Sequence, residues 1–467
     1  MAAFAVPEDL EIDGARVAAC RRTLVAAGVE HCFAAFVDVH GVPKSKAVPL
    51  SHFEEMCRGG ELYTVGANEG LGLAGPHEDE CAAVPDLGSL IVFPWDPRQA
   101  FFAADLYHHG APYANDPRGF LRRVTEKGRG MGFVPMLGIE PELYVLRRAA
   151  GGGLEPITTS RFRGPNACYD LNLTTESMDF LEPMRSHLEK LGWGLYSFDQ
   201  ECGRGQYEFD FGYTDALTMA DRFVFFRLMA KKVAQSIGAV ASFMPKPFAD
   251  DFRSGAHFNL SLAHAEGGAN AFADPPGALA RKYGLSVSDL TLHFTAGMLR
   301  HAGAITALSC PTYNSYQGLV ARGELREFSW APVLALWGRN NRSAMLRLPG
   351  NRACVENRAV DMATNPYLAA ALAFAAGLEG VEQKLDPGAG AEDDLYRRSR
   401  RELSALGIRT LPPTLLHAVE AFEADPLVEG VFGAEFRDLY ASLRRREWEE
   451  VFFHVSDWQR ARDLEFL

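Results

Sequence analysis

Glu140 and Glu142 stand two apart in PMLGIEPELYVL, an otherwise apolar run over 135–146. A strand's period of two places both carboxylates on one face. Two like charges held side by side repel unless cations neutralise them. The run FDQECGRGQYEFDF (198–211) repeats the theme: Glu201 precedes a glycine-interrupted turn, and Glu208 and Asp210 again share a face. His257, Asn259 and Ser261 alternate in SGAHFNLSL, and Glu356 and Arg358 alternate in RACVENRAVD. Each has an ordinary alternative: a solvated strand edge for the glutamate pair, a satisfied core residue for the histidine. Taken together, five glutamates and one histidine suit hard divalent cations, which favour carboxylate oxygen. Such ligands shared by two ions leave positions open for water and phosphate. Arg342 and Arg347 in NNRSAMLRLPG have the forked donors that grip phosphate oxygens. No GxxxxGK[ST] loop occurs, which excludes an ordinary P-loop nucleotide site. The residues alone describe a two-metal phosphoryl-transfer enzyme.

Composition bounds the setting. At 467 residues the chain exceeds the usual size of one domain, and its 47 % hydrophobic and 23 % charged residues are ordinary for a globular protein. A net charge of −13 argues against nucleic acid and anionic membranes as partners. No run approaches the roughly 20 apolar residues of a membrane helix, and the N-terminal residues lack signal-peptide order. A cytoplasmic location is the simplest expectation. The eight cysteines form no CxxC pair and read as small, mostly buried hydrophobes rather than a zinc site or redox dithiol.

The elements that must position these residues follow from periodicity and turn signals. A helix is expected over 13–29, strands over 31–41, 45–50, 89–95 and 100–107, and a boundary in HHGAPYANDPRG (108–119), where Asn-Asp-Pro starts a helix. Beyond it, strands are expected at 134–147, 194–200, 205–212, 240–244, 256–263 and 343–348. Helices are expected at 176–191, 214–237, 286–308, 366–380 and 433–455. Strands and helices mix without βαβ alternation, which favours a mixed or antiparallel sheet with helices packed on one side.

The order of short motifs adds a resemblance. Glu140-Pro141-Glu142, Glu201 with Gly205-Gln206-Tyr207-Glu208, Met244-Pro245-Lys246-Pro247 and Ser254-Gly255-Ala256-His257 follow in turn. Asn314-Ser315-Tyr316, Asn341-Arg342-Ser343, Glu356-Asn357-Arg358 and Asn365-Pro366-Tyr367 complete the series. The chain resembles the glutamine synthetase family from about residue 15 onward. VDVHGVPKSKAVP, SWAP (329–332) and HVSDW (454–458) are most similar to γ-glutamylmethylamide synthetases and related γ-glutamylamide ligases.

The resemblance implies an α+β fold: a β-grasp-like N-terminal domain over 15–110, then a glutamine synthetase-type catalytic domain over 111–467 whose mainly antiparallel sheet forms the active-site funnel. It implies a ring-stacked homo-oligomer, a dodecamer, with active sites between subunits. It also implies two or more Mg²⁺ or Mn²⁺ ions per site, with ATP as co-substrate beside a glutamate-like acid and an amine. By motif position, Glu142, Glu201 and Glu208 would hold one ion, and Glu140, His257 and Glu356 the second. Arg342 and Arg347 would meet the transferring phosphate. Asn259, Ser261, Arg347 and Arg352 fall on the nucleotide side, and Arg358 would face the acid.

The departures bear on the substrates. Where the family carries Lys-Arg after Asn-Ser-Tyr, this chain has Gln317 and Gly318; where it carries Asn-Gly before the metal histidine, Phe252 and Arg253 stand. Arg253 or Arg322 is expected to supply the missing positive charge. A flap glutamate aligns with Trp330, and a loop aspartate falls within Thr64-Val65-Gly66-Ala67, leaving Glu69 as the nearby anion. Losing two anions disfavours ammonium and suits a larger amine. The expected reaction is ATP-dependent amide formation through an acyl phosphate. The alternatives are a true glutamine synthetase, a ligase for another acid, and a non-catalytic homologue. Tyr396 matches a region modified in some bacterial members, but its basic surroundings predict no such regulation.

Overall fold

The computed structural model describes residues 5–7, 10, 12–149, 151–159, 167–319 and 331–465. Helix α1 (Gly14–Ala27) starts where the Asp13 carboxylate accepts from the Ala15 and Arg16 amides and stops at Gly28, whose φ of 75° suits glycine. It packs on a sheet in which β1 (His31–Val37), β2 (Cys81–Pro85) and β3 (Gln99–His108) are central. β1 and β3 run parallel and β2 pairs antiparallel to β3, with short edges at Pro43–Lys44 and Leu62–Tyr63. This is the β-grasp-like arrangement.

The run HCFAAFV lacks polar alternation because β1 is buried on both faces. Cys32, Ala34 and Phe36 join a small core reaching from Val17 to Tyr113, while Ala35 and Val37 join the large core. The expected strand over 89–95 contracts to Ile91–Val92, because Trp95 turns out of the sheet to stack on Phe225 at 5.4 Å.

Asp116 caps α2 (Pro117–Gly130), with proline at the first helical position. Arg118 of α2 is buried and donates to Asp221, Asp105 and Asp86 at 2.7–2.9 Å, tying the first sheet to the body of the chain. The scaffold of the second sheet is β4 (Phe133–Arg148), sixteen residues long. After it come β5 (Ser197–Gln200), β6 (Gln206–Asp210), α3 (Ala216–Ser236) and β7 (Ala256–His264). The expected helix over 286–308 is two, α4 (Asp289–Arg300) and α5 (Ala302–Ser309). The break falls at His301, whose ring nitrogens lie 2.8 Å from Asp425 and 2.9 Å from Glu379.

Strands β8 (Leu334–Arg339), β9 (Ala344–Leu348) and β10 (Val355–Asn357) complete the sheet, in the order β5-β6-β4-β7-β10-β9-β8. Its pairings are antiparallel except β8 with β9, so the sheet is mixed. α6 (Pro366–Glu382) is buried along nearly its whole length and packs on α2, α3 and α4. α7 (Pro426–Phe452) starts earlier than its periodicity predicts, capped by Asp425, and is interrupted at Gly433, where φ 80° and ψ 160° are non-helical. Among the described residues no helix is long and apolar enough to cross a membrane.

Candidate active site

The chemistry-bearing residues are assembled by strand register. Asp199 of β5 faces Glu208 of β6, and Glu208 faces Glu142 of β4, so three carboxylates form one row across three strands. One step along β4, Glu140 faces His257 of β7. Asn259 faces Glu356 of β10, and Glu356 faces Arg347 of β9. Antiparallel pairing brings directly opposed side chains within about 5 Å, close enough to share an ion. Beside the row, Gly205 (φ 81°) turns the chain between Glu201 and Glu208. Gly255 is required for a different reason: a Cβ there would lie 2.7 Å from Glu142 Oε1 and 2.9 Å from His257 Nε2.

Glu140, Glu142, Glu201, Glu208, His257 and Glu356 line one cavity of about 520 Å³, together with Arg253, Arg342, Arg347, Arg352 and Arg358. The imidazole of His257 lies 3.4 Å from Glu140 and 3.7 Å from Glu142. Oxygen or nitrogen atoms of Glu140, His257 and Glu356 fall within 4.8 Å of one another, a spacing at which one cation could bind all three. Asn259 stands behind this group and donates to Glu140 at 3.0 Å. Ser261, two residues further along β7, is buried and does not line the cavity. Arg322 and Trp330 lie outside the described residues.

The two halves of the cluster differ electrostatically. Burial opposes ionisation of Glu140, yet His257, Arg352 and Asn259 hold its carboxyl down to about 2. Glu356 is likewise held low against burial by Arg358, His257 and Arg347. Arg347 and Arg358 each donate to it at 2.6 Å. In the row, burial raises Glu142 and raises Glu208 well above the usual carboxylate range, with neighbouring carboxylates adding to both. Burial and the charges of Glu201 and Asp210 push Asp199 up to about 7. A divalent cation would reverse this penalty by favouring the ionised carboxylates, so the donor set and its charge fit Mg²⁺ or Mn²⁺.

Several contributors were not legible beforehand. Gln206 donates to Glu142 at 2.8 Å and to the Arg253 carbonyl at 2.9 Å, and accepts from the Gly203 amide, so one amide fixes both the turn and a carboxylate. Asp199, Tyr169 and Tyr196 also line the cavity. Six cysteines are buried as composition predicts, but Cys168 and Cys202 are half-buried and face the cavity, a departure from the expectation for those two.

Phe252 lines the wall beside Arg253. A Cβ on Gly318 would lie 2.8 Å from the Arg253 Cβ, so Arg253 fills the volume that a side chain at 318 would need. Its guanidinium donates to the Val360 carbonyl at 2.6 Å, and its Nε and Nη1 have no hydrogen-bond partner among the described residues. Glu69 pairs with His40 at 3.2 Å and does not line this cavity. Tyr396 is buried, its hydroxyl donating to the Ala331 carbonyl at 2.7 Å, which leaves it poorly placed for modification.

Rows of carboxylates on a twisted mixed sheet, walled by arginines, define an enzyme that handles phosphate groups with divalent cations. Residues 114–463 match the family described as glutamine synthetase, catalytic domain; the chain belongs to the glutamine synthetase family and is an ATP-dependent amide-forming ligase. It is 38 % identical to glutamate–methylamine ligase of Methyloversatilis universalis over 439 residues, 94 % of this chain and 97 % of that protein. Glutamine synthetase of Rhizobium leguminosarum bv. phaseoli is 34 % identical over 437 residues, again 94 % of this chain and 97 % of the relative. Among solved structures, a GmaS/ADP complex superposes with a TM-score of 0.86 at 33 % identity, covering 96 % of this chain and 99 % of that one.

Proposed function

We propose that this enzyme joins glutamate, or an acid closely related to it, to an amine larger than ammonia at the expense of ATP. The observation that carries the reading is the convergence of six cation-suited side chains and four arginines, Arg342, Arg347, Arg352 and Arg358, on one cavity. The similarity to glutamate–methylamine ligase and the replacement of two anions by Trp330 and an apolar loop favour the larger amine.

Glu142, Glu201 and Glu208 would hold one ion and Glu140, His257 and Glu356 another, Mg²⁺ or Mn²⁺. When bound, such ions supply positive charge to phosphate oxygens. A carboxylate is a poor acyl donor because oxide would have to leave. Phosphorylation by ATP gives an acyl phosphate, and a neutral amine then displaces phosphate to form the amide. Arg342 and Arg347 act in this reading by preorganised charge, already aimed where negative charge accumulates. Asn259 and Arg352 belong to the nucleotide side, and Arg358 with Arg253 and Arg322 to the acid. Apolar walls such as Phe252 exclude the water that would hydrolyse the intermediate.

In the same reading, 15–110 is a β-grasp-like domain and 111–467 the catalytic domain of a cytoplasmic, ring-stacked dodecamer. Sites between subunits would let the N-terminal loop of one protomer serve its neighbour, consistent with Glu69 being turned to His40 within its own chain.

Phosphate release from ATP with Mg²⁺, over a matrix of acids and amines with mass detection of the amide, tests the proposal. Glutamate with a small alkylamine is expected to give product while ammonia gives little. Turnover with ammonia as the preferred amine would overturn it. A second reading, in which the acid is not glutamate, rests on the filling of the Gly318 space by Arg253. It predicts that glutamate fails with every amine while another acid succeeds.

A further inference from the structure

Cys168 and Cys202 are far apart in sequence, yet two backbone hydrogen bonds clamp their segments together: Ala167 N–H donates to the Cys202 carbonyl at 3.2 Å, and Tyr169 N–H to the Gln200 carbonyl at 2.8 Å. Glu201 sits between them. Its Oε2 accepts from the Cys202 amide at 2.8 Å and lies 3.9 Å from the Cys168 sulfur. One ligand atom from each of Cys168, Glu201 and Cys202 falls within a span of 4.8 Å, and all three residues line the cavity. The other six cysteines are buried.

We propose that Cys168, Glu201 and Cys202 form a separate binding site for a soft divalent cation, Zn²⁺ or Cd²⁺, at the edge of the active-site cavity. Two sulfurs and one carboxylate oxygen select against Mg²⁺, which takes oxygen ligands, and leave a fourth position for water, as in zinc sites with three protein ligands. The thiol of Cys168 points its proton toward the Glu201 carboxylate, along the direction a cation would occupy between them. Binding replaces both thiol protons, which pass to solvent as two sulfur–metal bonds form. The backbone of both segments is already hydrogen-bonded, which holds the ligand atoms near one another before an ion binds.

Glu201 is shared between this site and the hard-ion set, and that consequence rests on the proposed function. A soft cation held by the thiols draws Glu201 toward sulfur and away from Glu142 and Glu208. It therefore inhibits the ligase even when Mg²⁺ is in excess.

Cd²⁺ is titrated into the full-length protein in excess Mg²⁺ while the ultraviolet thiolate-to-Cd²⁺ charge-transfer band is recorded. One equivalent per chain is expected to develop the band and to protect Cys168 and Cys202 from alkylation, read by mass spectrometry on the unaltered protein. Cys168→Ser and Cys202→Ser are expected to weaken Cd²⁺ binding by a factor on the order of 100 or more. Alkylation of Cys168 and Cys202 that is indifferent to Cd²⁺, or a band unchanged in both variants, would overturn the site. So would recovery of the two cysteines as a disulfide in place of a metal-bound pair. Inhibition is measured relative to each variant's own uninhibited rate. Cd²⁺ binding with the sulfur band but without inhibition leaves the site standing and overturns the inhibitory sharing of Glu201.

Discussion

The row Asp199–Glu208–Glu142 and the neighbouring pair Glu140 and Glu356 lie on the same sheet but are stabilised in opposite ways. The pair is braced from within the chain by Arg347, Arg352, Arg358 and His257 and stays ionised. In the row, Glu142 has His257 at 3.7 Å and Arg253 nearby, yet burial still drives Glu142, Glu208 and Asp199 toward their protonated forms. One half is thus charge-balanced before any ion binds, whereas the other carries an electrostatic cost that an ion removes. A site built this way keeps its arginines placed before ATP arrives and makes the row the half whose ionisation depends most on a bound ion.

The sharpest break of that comparison is Glu208→Gln or Glu142→Gln. Turnover is expected to fall by about 10³-fold or more, since several kcal/mol of charge stabilisation depends on the bound ion. The metal-free variants should nonetheless melt at or above the wild-type temperature, because a buried, repelled carboxylate has gone. A lower melting temperature would mark the row as structural.

Glu356→Gln should behave differently, losing activity and also destabilising the metal-free protein by about 3 kcal/mol, because Arg347 and Arg358 lose a buried partner. Denaturant unfolding checks this, and wild-type stability would show that the brace is not needed. Arg347→Lys keeps the charge but loses the fork, so kcat is expected to fall on the order of 10²-fold. An unchanged kcat would remove Arg347 from phosphate transfer.

Proton linkage separates the halves without mutation. In the row the folded-state values are raised above the unfolded ones, so the stability of the metal-free protein falls as pH rises from the unfolded carboxylate range through the folded values, about 7 for Asp199. Glu140 and Glu356 are lowered, so their contribution is present above the unfolded value and is lost as pH falls through the folded one. Mg²⁺ should therefore raise the melting temperature more at about pH 8 than at about pH 5, where the row already holds protons. An equal rise at both would contradict the uncompensated row. The smallest effect concerns the amine. Trp330→Glu is expected to raise the ammonia-to-methylamine rate ratio by about tenfold, a change of roughly 1.4 kcal/mol in relative barrier. A constant ratio would exclude Trp330 from amine selection.

Much of the site was legible because its elements are local. The alternation of Glu140 with Glu142 and of Glu356 with Arg358 expresses the two-residue period of a strand, and the motif order carried the family. The helix start at Asp116-Pro117 was equally local, since a cap and a proline act on adjacent amides. The break at His301 was not: its partners Glu379 and Asp425 are far along the chain, and helical periodicity runs straight through it.

What the sequence determined by itself was therefore the set of chemical groups and the face of each strand on which they stand. Tertiary structure decided which strands are neighbours and hence which charges meet. Register opposed Glu208 to Glu142 and Arg347 to Glu356, making one half of the site costly and the other balanced. It also brought Cys168 beside Cys202 and laid Arg253 into the space over Gly318. These are distance-dependent interactions between groups remote along the chain, and Coulomb energy and burial depend on separation in space, which spacing in sequence does not specify.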